Sequence, residues 1–206
     1  SLVLAKSEPK ITLRQHIDDC LNIYCQLKHS LPNISVHYGK EFWERLRVSI
    51  ILHDTGKSHY EFQKYLLGKK NEWYHQRHEL FSIYFALNSD SKTNLGDSGV
   101  LAILGHHKSL CELYDFIEKN YSKDDWDLDD DGLNYTKECN KLNSSVVWNL
   151  LKQYGIVKKS DGNIDLLSII KKYIRGERGI LCSHMIEDIL LVGALKQCDH
   201  MASAGI

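Results

Sequence analysis

Proline is nearly absent, with only Pro9 and Pro32 in 206 residues. A proline inside a helix removes a donor and clashes with the preceding turn, so the chain beyond Pro32 is free to be helical. No two of the six cysteines form a Cys-x-x-Cys pair. This argues against a zinc ribbon or a thioredoxin-like motif, and free thiols fit a reducing cytoplasm best. Cys20 and Cys198 read as small buried residues on apolar helical faces. No apolar run approaches the ~18 residues that would mark a membrane span, so no membrane partner is expected. Ser1–Lys6 lacks the layout of a signal peptide, and the opening Ser1, in place of Met, points to a processed or engineered start. Excess charge is also missing: 26 basic and 27 acidic residues leave a net charge of −1. That balance excludes a strongly basic nucleic-acid coat protein but leaves room for local basic patches.

What remains is helical periodicity. Thr12-x-x-Gln15 resembles a capping box, and Leu13, Ile17, Cys20, Leu21, Tyr24, Leu27 and Leu31 then recur at helical spacing. Further helices are expected over Glu41–His53, Tyr60–Leu67, His75–Leu87, Val100–Lys108, Cys111–Tyr121, Ser144–Tyr154, Asp165–Arg175 and Ser183–Ala204. Gly56 is read as supplying the turn that follows His53, and residues 88–96 as a polar loop. Neither a convincing strand pattern nor an internal repeat is present, so the expected class is all-α, a single domain over residues 1–206. A loop or helical insertion is expected within about residues 111–183.

Histidine is over-represented, with eleven copies, and it is the commonest metal-ligating side chain. His53-Asp54 ends a very apolar helix, where a buried carboxylate is expensive without a compensating cation. His106-His107 ends another. His16 lies on the edge of the first helix's apolar face, His78 opens a helix, and Asp199 falls on the inner stripe of the last one. These seven residues are too far apart in sequence for a local metal clip, so they would have to converge from five helices of a bundle. Five His and two Asp are too many for one four-coordinate ion. Sharing a bridging Asp, they suit two ions ~3.5–4 Å apart. Replacing Asp54 by Ala in so repulsive a cluster can even raise the stability of the metal-free chain, because unpaired buried charge is costly.

The ordered set His16 … His53-Asp54-x-Gly56-Lys57 … Arg77-His78-Glu79 … His106-His107 … Asp199-x-x-Ala202-Ser203 resembles the HD superfamily of metal-dependent phosphohydrolases. More narrowly, it resembles the HD nuclease domain of the CRISPR-associated helicase-nuclease of type I systems. Leu4-Ala5-Lys6-Ser7 near the start and Cys198-Asp199-His200-Met201-Ala202-Ser203 near the end add to the likeness, which runs from about Leu4 to Gly205. The resemblance implies an HD-domain helical bundle with a dinuclear centre. His16, His53, Asp54 and Asp199 would hold one divalent ion, and Asp54 would bridge to a second held by His78, His106 and His107. Lys57 would approach the scissile phosphate, so Asp54 and Lys57 are the expected catalytic residues. The ions would come from Mn, Fe, Co, Ni or Mg, and imidazole-rich ligation favours the transition metals. The implied activity is endo- or exonucleolytic cleavage of single-stranded DNA in cytoplasmic antiviral defence. The implied partners are a superfamily 2 helicase, fused or separate, and a crRNA-guided surveillance complex.

Other readings stand beside these. An HD phosphohydrolase of dNTPs or cyclic nucleotides would use the same ligands, and a non-catalytic metal-binding helical module would need only some of them. Lys57 could be simply a charge at a helix C-terminus. Ser203, four residues after Asp199, could orient that carboxylate or merely pack. His29, His37, His59, His75, His184 and His200 read as surface or structural residues. Trp43 and Trp73 read as packing residues in preference to base-stacking platforms. Asp127-x-Asp129-x-Asp131-Gly132 with Glu138 matches calcium-loop spacing, but six Asp in residues 122–132 read better as a solvated loop.

Overall fold

The computed structural model describes residues 2–73, 76–121, 134–159 and 185–205. The chain is mostly helical, and no described helix is long and apolar enough to cross a membrane. Helix α1, Leu13–Ser30, starts where Thr12 accepts a hydrogen bond from the Gln15 amide at 3.1 Å. Its inner face is Leu13, His16, Ile17, Cys20, Ile23 and Tyr24. Helix α2 is the short Ile34–Tyr38, and α3, Glu41–Leu52, follows it. A single 3-10 turn, Thr55–Ser58, leads into α4, Tyr60–Leu66. Then come α5, His78–Leu87, α6, Lys92–Gly105, and α7, Leu110–Asn120, which Ser109 and Glu112 cap reciprocally. The remaining described helices are α8, Tyr135–Cys139, α9, Ser144–Gln153, and α10, Met185–Ala204.

Several expectations are corrected. Two short antiparallel strands precede α1: β1, Leu4–Lys6, and β2, Ile11–Thr12. They are too short to show an alternating pattern. Gln63 from α4 ties β1 down by accepting from the Leu4 amide and donating to the Leu4 carbonyl, at 2.9 and 2.8 Å. Helix α5 begins at His78, after an extended Arg77. The expected loop over residues 88–96 is helical from Lys92, with one break at Gly96, whose φ of +61° is a left-handed value that favours glycine. Gly56 is required for a different reason from turn flexibility. A Cβ there would lie 2.0 Å from the His78 carbonyl oxygen and 2.6 Å from the Ser82 amide, so α5 can approach the 3-10 turn only over a bare backbone. The expected helix over Asp165–Arg175, the acidic stretch from Ser122, and His75 and His184 lie outside the described residues.

Helix α3 carries Glu41, Glu44, Arg45 and Arg47 before Val48 and is buried on all sides only from Val48 to Leu52, and its apolar residues join two cores. Val48, Ile51 and Leu52 join Leu13 and Ile17 of α1 and the apolar faces of α5, α6, α7 and α9. Phe42, Trp43, Leu46 and Ile50 join Cys20 and Tyr24 of α1, Ala102 of α6 and Leu191, Leu195 and Cys198 of α10. The C-terminus of α3 therefore ends deep in protein, and the residues that end it are His53 and Asp54.

Candidate metal centre

A helix ending inside a core leaves its last carbonyls in need of donors. His53 and His106 each meet that need in the same way. The Nδ1–H of His53 donates to the Ile50 carbonyl at 2.7 Å, and that of His106 to the Ile103 carbonyl at 2.6 Å. A carbonyl only accepts, so Nδ1 carries the proton in both rings and Nε2 presents its lone pair elsewhere. In both rings Nε2 is buried and has no hydrogen-bond partner. Fixing an imidazole through its far nitrogen is how proteins orient metal-binding histidines.

Asp54, fully buried, follows directly. The backbone around it is locked from α5: Ser82 Oγ donates to the His53 carbonyl at 2.6 Å and accepts from the Gly56 amide at 2.9 Å. The two carboxylate oxygens face different neighbours. Oδ2 lies 3.2 Å from His16 Nε2 and 3.6 Å from His53 Nε2. Oδ1 lies 3.0 Å from His78 Nε2 and 3.8 Å from His106 Nε2. Asp199 of α10 reaches the first side, its Oδ1 being 3.1 Å from His16 Nε2 and 3.8 Å from His53 Nε2. Ser203 donates to that same Oδ1 at 3.4 Å. Lys57 Nζ contacts Asp54 Oδ2 at 2.6 Å.

Two groups of side chains emerge, each with ligand atoms within 4.8 Å of one another: His16, Cys20, His53 and Asp199, and Asp54, His78, His106 and His107. All seven residues singled out as metal ligands fall in these groups, and five helical segments deliver them. Cys20 is the addition. It is four residues after His16, hence on the same face of α1, and its thiol lies 3.7 Å from His16 Nε2. The buried, unpartnered Nε2 atoms of His53, His78 and His106 and the Oδ1 of Asp54 are the donor set that a divalent cation satisfies, and each group could hold a metal ion.

The electrostatics agree. Burial opposes charge on Asp54, but Lys57 and the surrounding imidazoles hold its carboxyl well below the usual carboxylate range. Asp199 is also held far below that range against its burial, by His16 and His53. Burial works against a charged His16 too, yet Asp199 and Asp54 on either side push it up to about 12. In the metal-free chain, then, protonated His16 and Lys57 together balance the two carboxylates. Burial keeps His78 and His106 below the ordinary histidine value, and desolvation together with His106 brings His107 down to about 4. Those three rings are neutral at pH 7, the form that ligates. His107, the one exposed residue of the two groups, marks the open side.

Other features took different places. Trp43 is buried and donates to Ser35 Oγ at 2.9 Å, which removes it as a stacking platform, and Trp73 packs on His59, Phe62 and Phe81. His59 is fully buried, with Nε2 3.3 Å from Glu138 Oε2, while His29, His37 and His200 are exposed. Glu138 also meets Gln76 and Lys141 at 3.2 and 2.8 Å, so it belongs to an internal polar cluster. The remaining positions of the calcium-loop spacing lie outside the described residues. Glu79, which the motif contains without a role, is buried and paired with Arg77.

The chain matches no family model, no curated protein and no solved structure. The HD resemblance therefore rests on the motif residues themselves.

Proposed function

We propose that this chain is an HD-type metal-dependent nuclease that cuts single-stranded DNA during CRISPR interference. The observation that carries the proposal is the division of Asp54: one oxygen faces each ligand group, the arrangement of a carboxylate shared by two ions. Two bound divalent ions would lower the pKa of a water, clamp the phosphoryl oxygens and stabilise the leaving alkoxide.

The chain's own residues supply the rest. His53 and His106 hold fixed tautomers, so their Nε2 atoms are preorganised. Ser203 steadies Asp199. Lys57 is the cation nearest Asp54 and would add a point charge where a transferring phosphoryl group becomes more negative. Access runs past exposed His107 and Lys108. The other ligands are recessed among helices, so a splayed strand reaches them more easily than a stiff duplex ~20 Å wide, whose bending is itself costly. The near-zero net charge fits a domain fed by a helicase partner and brought to DNA by a crRNA-guided complex, since such a domain need not bind DNA tightly alone.

The test is a screen of the metal-stripped chain, reloaded with Mn, Fe, Co, Ni, Mg or Ca. Substrates are circular and linear single-stranded DNA, duplex DNA, dNTPs and cyclic dinucleotides. The expected result is cleavage of single strands with a transition metal, sparing of duplex, and weakening by salt. Efficient hydrolysis of the small nucleotides with every single strand left intact would replace this reading with that of a nucleotide phosphohydrolase. Metal binding with no hydrolysis of any substrate would leave a metal-binding helical module.

A further inference from the structure

The two ligand groups differ in chemistry. The second is built only from imidazole and carboxylate donors, whereas the first contains a sulfur. Cys20 Sγ lies 3.7 Å from His16 Nε2 and within 4.8 Å of the ligand atoms of His53 and Asp199. The contact is a thiol–imidazole hydrogen bond in the metal-free chain. Bonds of ~2.3 Å to sulfur and ~2.1 Å to nitrogen at a tetrahedral angle put two ligand atoms ~3.6 Å apart, so the same separation fits two donors to one ion. The neighbouring Nε2 of His53 is fully buried and unpartnered, which independently marks this spot as a ligand position. An apolar packing role would not require the sulfur to turn toward two imidazoles and a carboxylate.

We propose that Cys20 is a ligand of the ion in the first group, making the two positions unequal: one thiolate-bearing and selective for thiophilic divalent cations, the other confined to nitrogen and oxygen donors. This rests on the metal-centre reading above. On ligation the Sγ–H bond breaks, the proton leaves to solvent and the Sγ–metal bond forms, with no change in oxidation state. Soft thiolate donors favour Cd2+, Zn2+ or Co2+ over Mn2+ and Mg2+, so the first position favours thiophilic ions more strongly than the second, whose imidazoles favour transition ions in general.

The experiment is titration of the metal-stripped full chain with Co2+, followed by absorbance. The bound ion should show ligand-field bands together with a near-ultraviolet sulfur-to-cobalt charge-transfer band. Cys20→Ser should bind Co2+ without the charge-transfer band. Cys25→Ser and Cys198→Ser, changed at an exposed thiol and at a buried thiol outside both groups, should keep it. Cd2+ affinity should fall in Cys20→Ser by more than the ~10- to 100-fold that loss of an outer-shell partner costs, because a direct thiolate bond is lost, with Mn2+ affinity little changed. If Cys20→Ser fails to fold, Cys20→Ala and the wild-type band under Cys198→Ser still decide the matter. Co2+ binding by the wild type with no charge-transfer band overturns the role of Cys20 and leaves the metal centre standing. Failure of the wild type to bind Co2+ or Cd2+ at all overturns both.

Discussion

Replacing Asp54 by Ala in the metal-free chain should destabilise it, reversing the sign expected from a cluster of repelling charges. Asp54 is paired with the Lys57 ammonium at 2.6 Å, and the two side chains are 0% and 13% exposed. His16 survives the change with a partner, because Asp199 stays 3.1 Å away. Lys57 does not. Removing one member of a buried pair costs ~3–5 kcal/mol because the other charge is left desolvated. The small exposure of Lys57 lets its ammonium turn toward water, which places the expected loss at the lower end, about 3 kcal/mol. At ~2–4 °C per kcal/mol for a chain of this length, that is a fall in Tm of about 6–12 °C. The assay is thermal and urea unfolding of chelator-treated protein, with Lys57→Met and the double variant completing a cycle. Lys57→Met should recover much of the loss when combined with Asp54→Ala, because it removes the orphaned charge. An Asp54→Ala protein as stable as the wild type, or a double variant no better than Asp54→Ala alone, would refute the pairing argument. With metal present, the same substitution should abolish the proposed nuclease activity and the binding of at least one ion while helical content is retained.

The metal-stripped protein should gain thermal stability from Mn2+, Co2+ or Ni2+ and much less from Ca2+, since imidazole-rich groups favour transition ions; equal stabilisation by Ca2+ in a melting series would contradict the ligand assignment. His106→Ala removes a donor from the second group only, so elemental analysis should find one tightly held equivalent of metal in place of two. Gly56→Ala puts a methyl 2.0 Å from the His78 carbonyl oxygen, forcing α5 off the 3-10 turn; unfolding should show a loss exceeding the ~1–3 kcal/mol typical of overpacking, and a melting curve like the wild type's would refute the close-approach argument. Burial opposes charge on Glu138, but His59, Lys141 and Gln76 bring its carboxyl down to about 2 from an ordinary 4.5. A carboxyl depressed on folding stabilises above its unfolded value and loses that contribution as pH falls through the folded one. The wild type should therefore lose roughly 3 kcal/mol between about pH 4.5 and 2 from this group, and Glu138→Gln should flatten that part of the pH–stability curve.

The helical class was legible from local pattern. Apolar residues at 3-to-4 spacing specify which face of α1 is buried wherever that face goes, and Thr12 caps its helix through an amide only three residues away. The ligand types were legible for a related reason: a histidine or aspartate at the end of a very apolar run needs something to compensate it, whatever the fold. The two strands, the early start of α6 and the start of α5 at His78 were not legible, because each depends on contacts made outside its own segment, such as Gln63 holding β1. Gly56 could be read as a special position, but its reason lay in a helix that begins 22 residues later. Cys20 is buried in the core as its place on α1 suggested, but that its sulfur lies beside His16, His53 and Asp199 depended on α1, α3 and α10 meeting around it. Only the tertiary structure turned one oxygen of Asp54 toward each ligand group and set Lys57 against it, because side chains on five separate elements acquire their mutual distances, and hence the signs and sizes of their interactions, when those elements pack.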